Sequence, residues 1–226
     1  AVCNSHCLFC SNHLNPFPVA GGFFRDVEDI KLQLCAMSAH DDPIRMSDSL
    51  PGRISEGEAL LHPQLFEILE MVRHKFFYNT LCFTTNASML DPVFLKKLSA
   101  FRPMEINVSL HSTEPALWAH IFGQDTRKAE IAIAALPLLR AQKIDLIGTL
   151  VPLPKICGWE GLERTYAHLI AQGARSMILY WPGHTHLTRP EVLADLECSL
   201  TEFTDVSERM KAAFRVALIP HPDMGS

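Results

Sequence analysis

Short apolar runs alternate with longer amphipathic ones along most of this chain. "TLCFTT" (80–85) reads as a buried strand, and "MEINVSL" (104–110), "IDLIGTLV" (144–151) and "SMILYW" (176–181) read as strands. Between them apolar residues recur every three or four positions, the period of a helix with one buried face. Leu65, Ile68, Leu69, Val72 and Phe76 form such a face, and Val27, Ile30, Leu34 and Met37 predict a helix over 27–38. Asp91 followed by Pro92 is a helix start: a carboxylate cap, then a residue with no N–H to leave unpaired. Further helices are predicted over "TRKAEIAIAALPLLRAQ", kinked or broken at Pro137, over "GLERTYAHLIAQ", stopped by Gly173, and from about Leu200 to Phe214. "HDDPIRMSDSLPG" reads as a loop leading to a short strand that ends near Ile54, and "RVALIP" as one more strand. Strand–helix alternation at this spacing builds repeated βαβ units, hence one α/β domain on a parallel sheet. Ligands of such sheets bind at the carboxyl ends of the strands.

The 226 residues are 48% hydrophobic and 20% charged, enough apolar mass for a sizeable core. A net charge of −5 and the lack of any basic run argue against a nucleic-acid partner. No apolar stretch reaches the roughly eighteen residues that cross a bilayer, and no secretory leader precedes the pattern. Because the chain begins at Ala1 rather than Met, something upstream of it reads as trimmed. Seven cysteines, an odd number, do not suggest a disulfide framework; a reducing cytoplasm with metal-binding thiols fits them better.

Three of those thiols crowd "AVCNSHCLFC": Cys3, Cys7 and Cys10, spaced C-x3-C-x2-C. Three thiolates leave one corner of a tetrahedron open. Two closures are compatible with the spacing. Either zinc takes His6 or His13 as its fourth ligand, or an iron–sulfur cluster leaves one iron without a protein ligand. No second CxxC or HxxxH pair, the usual complement of structural zinc, is present.

Three further stretches bear on the choice. "ISEGEALLHP" (54–63) places Gly57-Glu58 between a short strand and a helix, "FTTNASML" (83–90) ends the next strand, and "INVSLHS" (106–112) the one after. Together with C-x3-C-x-aromatic-C, the chain resembles the radical S-adenosylmethionine (SAM) superfamily from Cys3 to about Trp181. The resemblance implies a partial (β/α)6 TIM-like barrel of parallel strands in a single domain, 1–226, with its core in 1–181, 182–226 adding the last helix and a further strand, and the first strand, expected ahead of Cys3, truncated. It implies a [4Fe-4S] cluster on Cys3, Cys7 and Cys10, with S-adenosylmethionine closing the fourth iron. Phe9 corresponds to the aromatic beside the adenine, Gly57 to the close approach of the methionine moiety, Glu58 to the partner of its ammonium, and Ser109 to a fourth-strand contact. The activity implied is reductive cleavage of S-adenosylmethionine and hydrogen abstraction from a substrate, fed by a flavodoxin or ferredoxin.

The match is incomplete. Glu56-Gly57-Glu58 stands where the family usually has Gly-Gly-Glu, and Leu146 and Gly148 fit the fifth-strand pattern without its glutamate. Cys82, in an apolar strand, reads as a small core residue; Cys35 and Cys198 fall in predicted helices without partners. Cys157, read as a loop residue after the fifth strand, and His184 and His186 in "GHTH" are the candidates for substrate chemistry at the ligand-binding end. No cysteine after Cys198 is available to accept a methyl group, which with the acidic balance argues against RNA methylation, and no cysteine-rich C-terminal extension favours a peptide-modifying enzyme. A small metabolite, or a protein-bound intermediate, is left by elimination, with an RNA or protein methyltransferase or modifying enzyme as the alternative within the superfamily. The alternative of another class is a non-catalytic zinc- or cluster-bearing interaction domain.

Overall fold

In the computed structural model, which describes residues 2–10, 24–38, 43–46, 57–180, 194, 196, 198–214 and 217–221, the apolar runs pair side by side. Six strands form one parallel sheet in strict sequence order: β1 (Ile44–Arg45), β2 (Leu81–Thr85), β3 (Met104–Ser109), β4 (Asp145–Leu150), β5 (Ser176–Tyr180) and β6 (Ala217–His221). The helices in chain order are α1 (Val27–Ala36), α2 (Leu65–Lys75), α3 (Pro92–Leu98), α4 (Pro115–Phe122), α5 (Thr126–Ala141), α6 (Pro154–Ala171) and α7 (Leu200–Phe214). Right-handed crossovers taken in sequential order keep the helices on one face of the sheet, and strand twist curls it into an open half-barrel.

Register defines the two faces. Leu81 pairs with Met104, Phe83 with Ile106 and Ile106 with Leu146, and Gly148 lies between Val108 and Met177. All of these side chains are buried against the helices. A Cβ on Gly148 would lie 2.5 Å from Met177 Cε and 3.0 Å from Leu169 Cδ1 of α6, so this glycine serves helix-to-sheet packing. The alternate positions, Cys82, Thr84, Glu105, Asn107, Ser109 and Thr149, face the concave side.

The sequence reading needs five corrections. β1 lies inside the stretch expected to be a loop: it is two residues long, follows Pro43, and buries only Ile44, so no alternation reveals it. (The strand expected near Ile54 lies outside the described residues.) α5 runs through Pro137 without a break, because Ala132, Ala135, Leu136 and Leu139 anchor it to the core on both sides of the proline. α6 begins at Pro154, seven residues early, and turns at Gly158 (φ 65°, ψ 163°), so Cys157 sits in its first turn rather than in a loop. Cys198 precedes α7 instead of lying within a helix. Cys82 is half-buried on the concave face, where its thiol donates to Glu105 Oε1 at 3.4 Å, and is not a core residue.

At the opposite, amino-terminal end, Arg73 of α2 ties the loops together. Its guanidinium donates to the carbonyls of Phe76 (2.9 Å), Asn79 (2.6 Å), Phe101 (2.7 and 2.9 Å) and Pro103 (2.6 Å). Partial burial lowers its pKa, so those carbonyls stand in for water around the cation. Arg73→Ala is expected to lower unfolding stability by about 3 kcal/mol in chemical denaturation, since several carbonyls lose a charged donor at once.

Candidate active site

Residues 2–10 lie across the carboxyl ends of the strands, held by backbone and polar side chains from three distant places. Glu58 N–H donates to the Val2 carbonyl at 2.8 Å, His6 N–H to Phe122 O and Leu8 N–H to Ile121 O, both at 2.9 Å. The latter carbonyls are unused acceptors in the last turn of α4, which closes at Gly123 in the left-handed region (φ 61°). Any side chain at Gly123 would also meet His6 O at 3.0 Å. Asn86, just past β2, donates from Nδ2 to Asn4 Oδ1 and Ser5 Oγ at 2.9 Å each; Asn4 in turn donates to Ser88 Oγ at 2.9 Å. Gln124 reaches Ser5 Oγ from the other side.

This cradle presents the three cysteines. Burial and the neighbouring Cys10 and Cys3 thiols push Cys7 well above an ordinary thiol; Cys3 is raised by burial, by the Glu58 carboxylate and by Cys10, and eased by the Ser5 N–H. The three groups therefore lie within electrostatic reach of one another. Among the described residues no three His, Cys, Asp or Glu side chains are gathered closely enough to hold one metal ion. A cubane, whose thiolates bind separate irons, needs no such convergence. Soft donors, mutual proximity and a sheltered place at the ligand end of the sheet fit a [4Fe-4S] cluster, which Cys3, Cys7 and Cys10 would hold.

Gly57 and Glu58 sit directly beneath this segment. A Cβ on Gly57 would fall 1.8 Å from the Val2 carbonyl oxygen, so the chain itself requires the glycine. Glu58 is 3% exposed. Its Oε2 accepts from Thr85 Oγ1 and Asn86 N–H at 2.9 Å each, and its Oε1 from Leu60 N–H at 3.4 Å. Burial raises its pKa from 4.5 to about 7 despite those donors. A carboxylate has about four acceptor positions, so one remains for a cation.

Phe9, between two of the cysteines, stacks on His111 with ring centroids 4.1 Å apart and planes 16° apart; Phe122 meets both rings edge-on. His111 follows β3 with φ 59°, a strained conformation for histidine. Its Nε2 accepts from Val151 N–H at 2.9 Å, which leaves the proton on Nδ1, buried and without a hydrogen-bond partner. Burial pushes its pKa down to about 3, so the ring beside Phe9 is neutral. Ser109 ends β3 on the concave face. Cys157 donates its thiol to Leu153 O at 3.2 Å, and burial raises its pKa against the pull of Arg164. His13, Glu56, His184 and His186 lie outside the described residues.

The cysteine motif pointed to the site, and the Thr-Asn strand ending to Asn86. Asn4, Ser5, Gln124 and Gly123 carried no signal, being single residues whose partners are 80 or more positions away.

Residues 1–163 match the family described as the radical SAM superfamily. The chain belongs to that superfamily. As a radical SAM protein it is a member of an enzyme family built on a [4Fe-4S] cluster and S-adenosylmethionine. No curated protein matches its sequence. Among solved structures it is similar to Streptococcus suis SuiB bound to S-adenosylmethionine, at 10% identity and TM-score 0.70, covering 97% of this chain and 48% of that one. Methylornithine synthase (PylB) aligns at 13% identity and TM-score 0.67, over 97% of this chain and 61% of that one. The structure of anSMEcpe with bound AdoMet aligns at 16% identity and TM-score 0.61, over 96% and 60%. This radical SAM chain thus spans about half the length of the SuiB structures. Among its described residues no helix is long and apolar enough to cross a membrane.

Proposed function

We propose that this chain is the catalytic core of a radical SAM enzyme acting on a small molecule, with flavodoxin or ferredoxin as electron donor. When bound, the cluster and S-adenosylmethionine supply reductive cleavage of the sulfonium to methionine and a 5′-deoxyadenosyl radical that abstracts hydrogen from the substrate. The observation that carries the reading is the seating of the Cys3–Cys10 segment over the carboxyl ends of parallel strands by Asn86, Glu58 and the last turn of α4.

In this reading each residue has a physical task. Cys3, Cys7 and Cys10 are the cluster ligands. The one acceptor position left on Glu58 faces the ammonium of S-adenosylmethionine; that cation would offset the desolvation of the carboxylate, a charge-assisted contact. Phe9, fixed by the neutral His111 ring, offers a flat apolar surface to the adenine, and Ser109 a hydroxyl at the rim. Gly57, by admitting the Val2 backbone against it, holds the neighbouring Cys3 in place. Cys157, and beyond the described residues His184 and His186, are candidates for contact with substrate. As a protonated thiol Cys157 suits donation rather than nucleophilic attack.

Anaerobic reconstitution should give a brown protein with about four irons and four sulfides per chain. Incubation with S-adenosylmethionine and dithionite should release 5′-deoxyadenosine, and Cys7→Ala should abolish both. A colourless protein holding one zinc would establish the non-catalytic alternative instead.

A further inference from the structure

Closed β-barrels fill their interior with branched apolar side chains. The concave face of this half-barrel mixes Ile147 and Ile178 with polar groups. Cys82, Glu105, Asn107, Ser109 and Thr149 all face it, and they do so at register positions shared by adjacent strands. Two contacts organise the wall. Thr149 donates its hydroxyl to Asn107 Oδ1, so the two amide N–H donors of Asn107 have no partner among the described residues. Two positions below on the same strand face, Glu105 accepts, among the described residues, only the weak thiol donor of Cys82 at 3.4 Å. The neighbouring carboxylate at the same level, Asp145, is paired with Arg175, whereas no cation pairs with Glu105 among the described residues. Arg45 stands two strands away at the same level, and a half-buried carboxylate that no cation among the described residues contacts is complementary to one. The net charge of −5 adds a field of the same sign.

We infer that this wall binds a protonated primary amine, with Glu105 as its counter-ion and the Asn107 amide donating to an oxygen of the same molecule. The inference rests on the reading above that the carboxyl ends of the strands hold S-adenosylmethionine. Glu105 lies four residues below Ser109 on one strand face, roughly 13 Å at about 3.3 Å per residue. The amine therefore sits well below the rim, and the wall sets which molecules are accepted.

Isothermal titration of the cluster- and S-adenosylmethionine-loaded protein tests this with lysine, Nε-acetyllysine, glutarate and a lysine-containing pentapeptide. Lysine should bind at least about ten-fold tighter than Nε-acetyllysine, the loss of one partly buried charge pair. Glu105→Gln should erase that difference, Glu105→Asp should restore part of it, and Glu105→Lys should turn the preference toward glutarate. Tighter binding of free lysine than of the pentapeptide points to a metabolite amine, and the reverse to a peptide side chain; both support the assignment. Equal binding of lysine and its acetylated form, or discrimination that survives in Glu105→Gln, overturns it. Glu105-dependent lysine binding in a protein that releases no 5′-deoxyadenosine supports the amine site while removing the radical chemistry.

Discussion

Gly57→Ala is expected to strip the protein of iron while leaving its sheet intact. The added Cβ would stand 1.8 Å from Val2 O, 2.5 Å from Val2 C and 2.8 Å from Val2 N. All three atoms are backbone, so no rotamer change relieves the clash. Real Cβ atoms essentially never approach closer than 3.0 Å, so Val2 must retreat by at least 1.2 Å. That movement breaks the Glu58 N–H bond to Val2 and carries the adjacent Cys3 with it. Iron content after reconstitution should fall by about ten-fold or more, because an iron cluster is gripped only when its thiolates are held in place. Far-UV circular dichroism should change little, since Val2, Gly57 and Glu58, where the clash falls, lie outside β2 to β5 and their helices. If alanine is accommodated with full iron and only S-adenosylmethionine affinity drops, the glycine serves the cofactor rather than the N-terminal segment.

The second large effect concerns Glu58, where alanine and glutamine should part company. Glu58→Ala leaves the Thr85 hydroxyl and the Asn86 and Leu60 N–H groups unpaired in a dry place, a loss of about 3 kcal/mol. Glu58→Gln keeps an oxygen acceptor and removes the titration. The carboxyl pKa is about 7 in the folded protein against 4.5 in the unfolded chain, so the native state holds the proton more tightly. Its contribution to stability is complete below pH 4.5 and is lost as the pH rises through 7, about 3 kcal/mol in all. His111 slopes the other way. Its folded pKa of about 3 lies below the ordinary 6.5, so its contribution is complete above pH 6.5 and lost as the pH falls below that. The readout is therefore the difference between wild type and Glu58→Gln in denaturant titrations of the cofactor-free protein from pH 4 to 8. That difference should grow steadily between pH 4.5 and 7 and then level off. In the loaded protein the glutamine should weaken S-adenosylmethionine binding by about ten-fold, since a neutral amide forfeits the charge in the hydrogen bond.

The architecture was legible where periodicity was strong. β2 to β5 are short segments rich in apolar residues, α2 and α7 carry clear apolar stripes, and Asp91-Pro92 caps α3, the Asp91 carboxylate accepting from Val93 and Phe94 N–H. α4 escaped notice because "PALWAHIF" is apolar nearly all round: it buries Trp118 and Phe122, stacked at 4.3 Å, while its exposed face carries Ala116 and the single polar residue His120, too little to give a period. β1 escaped because two edge residues have no pattern at all. At the site, residue types were legible and their reasons less so. Gly57 stood out as a glycine, but spacing cannot reveal that Val2 lies against it. Glu58 stood out as a carboxylate, but not that Thr85 and Asn86 already occupy much of it.

The seat of the cysteine segment also orders events in time. Asn4 and Ser5 depend on Asn86 and Gln124, whose contacts span 82 and 119 positions of sequence. During synthesis, at about 5–20 residues per second, the thiols emerge many seconds before anything exists to shelter them. Iron delivered to the nascent chain would meet three loose cysteines, each open to stray oxidation. The productive acceptor is the finished half-barrel, which makes cofactor insertion a step that follows folding rather than one that guides it.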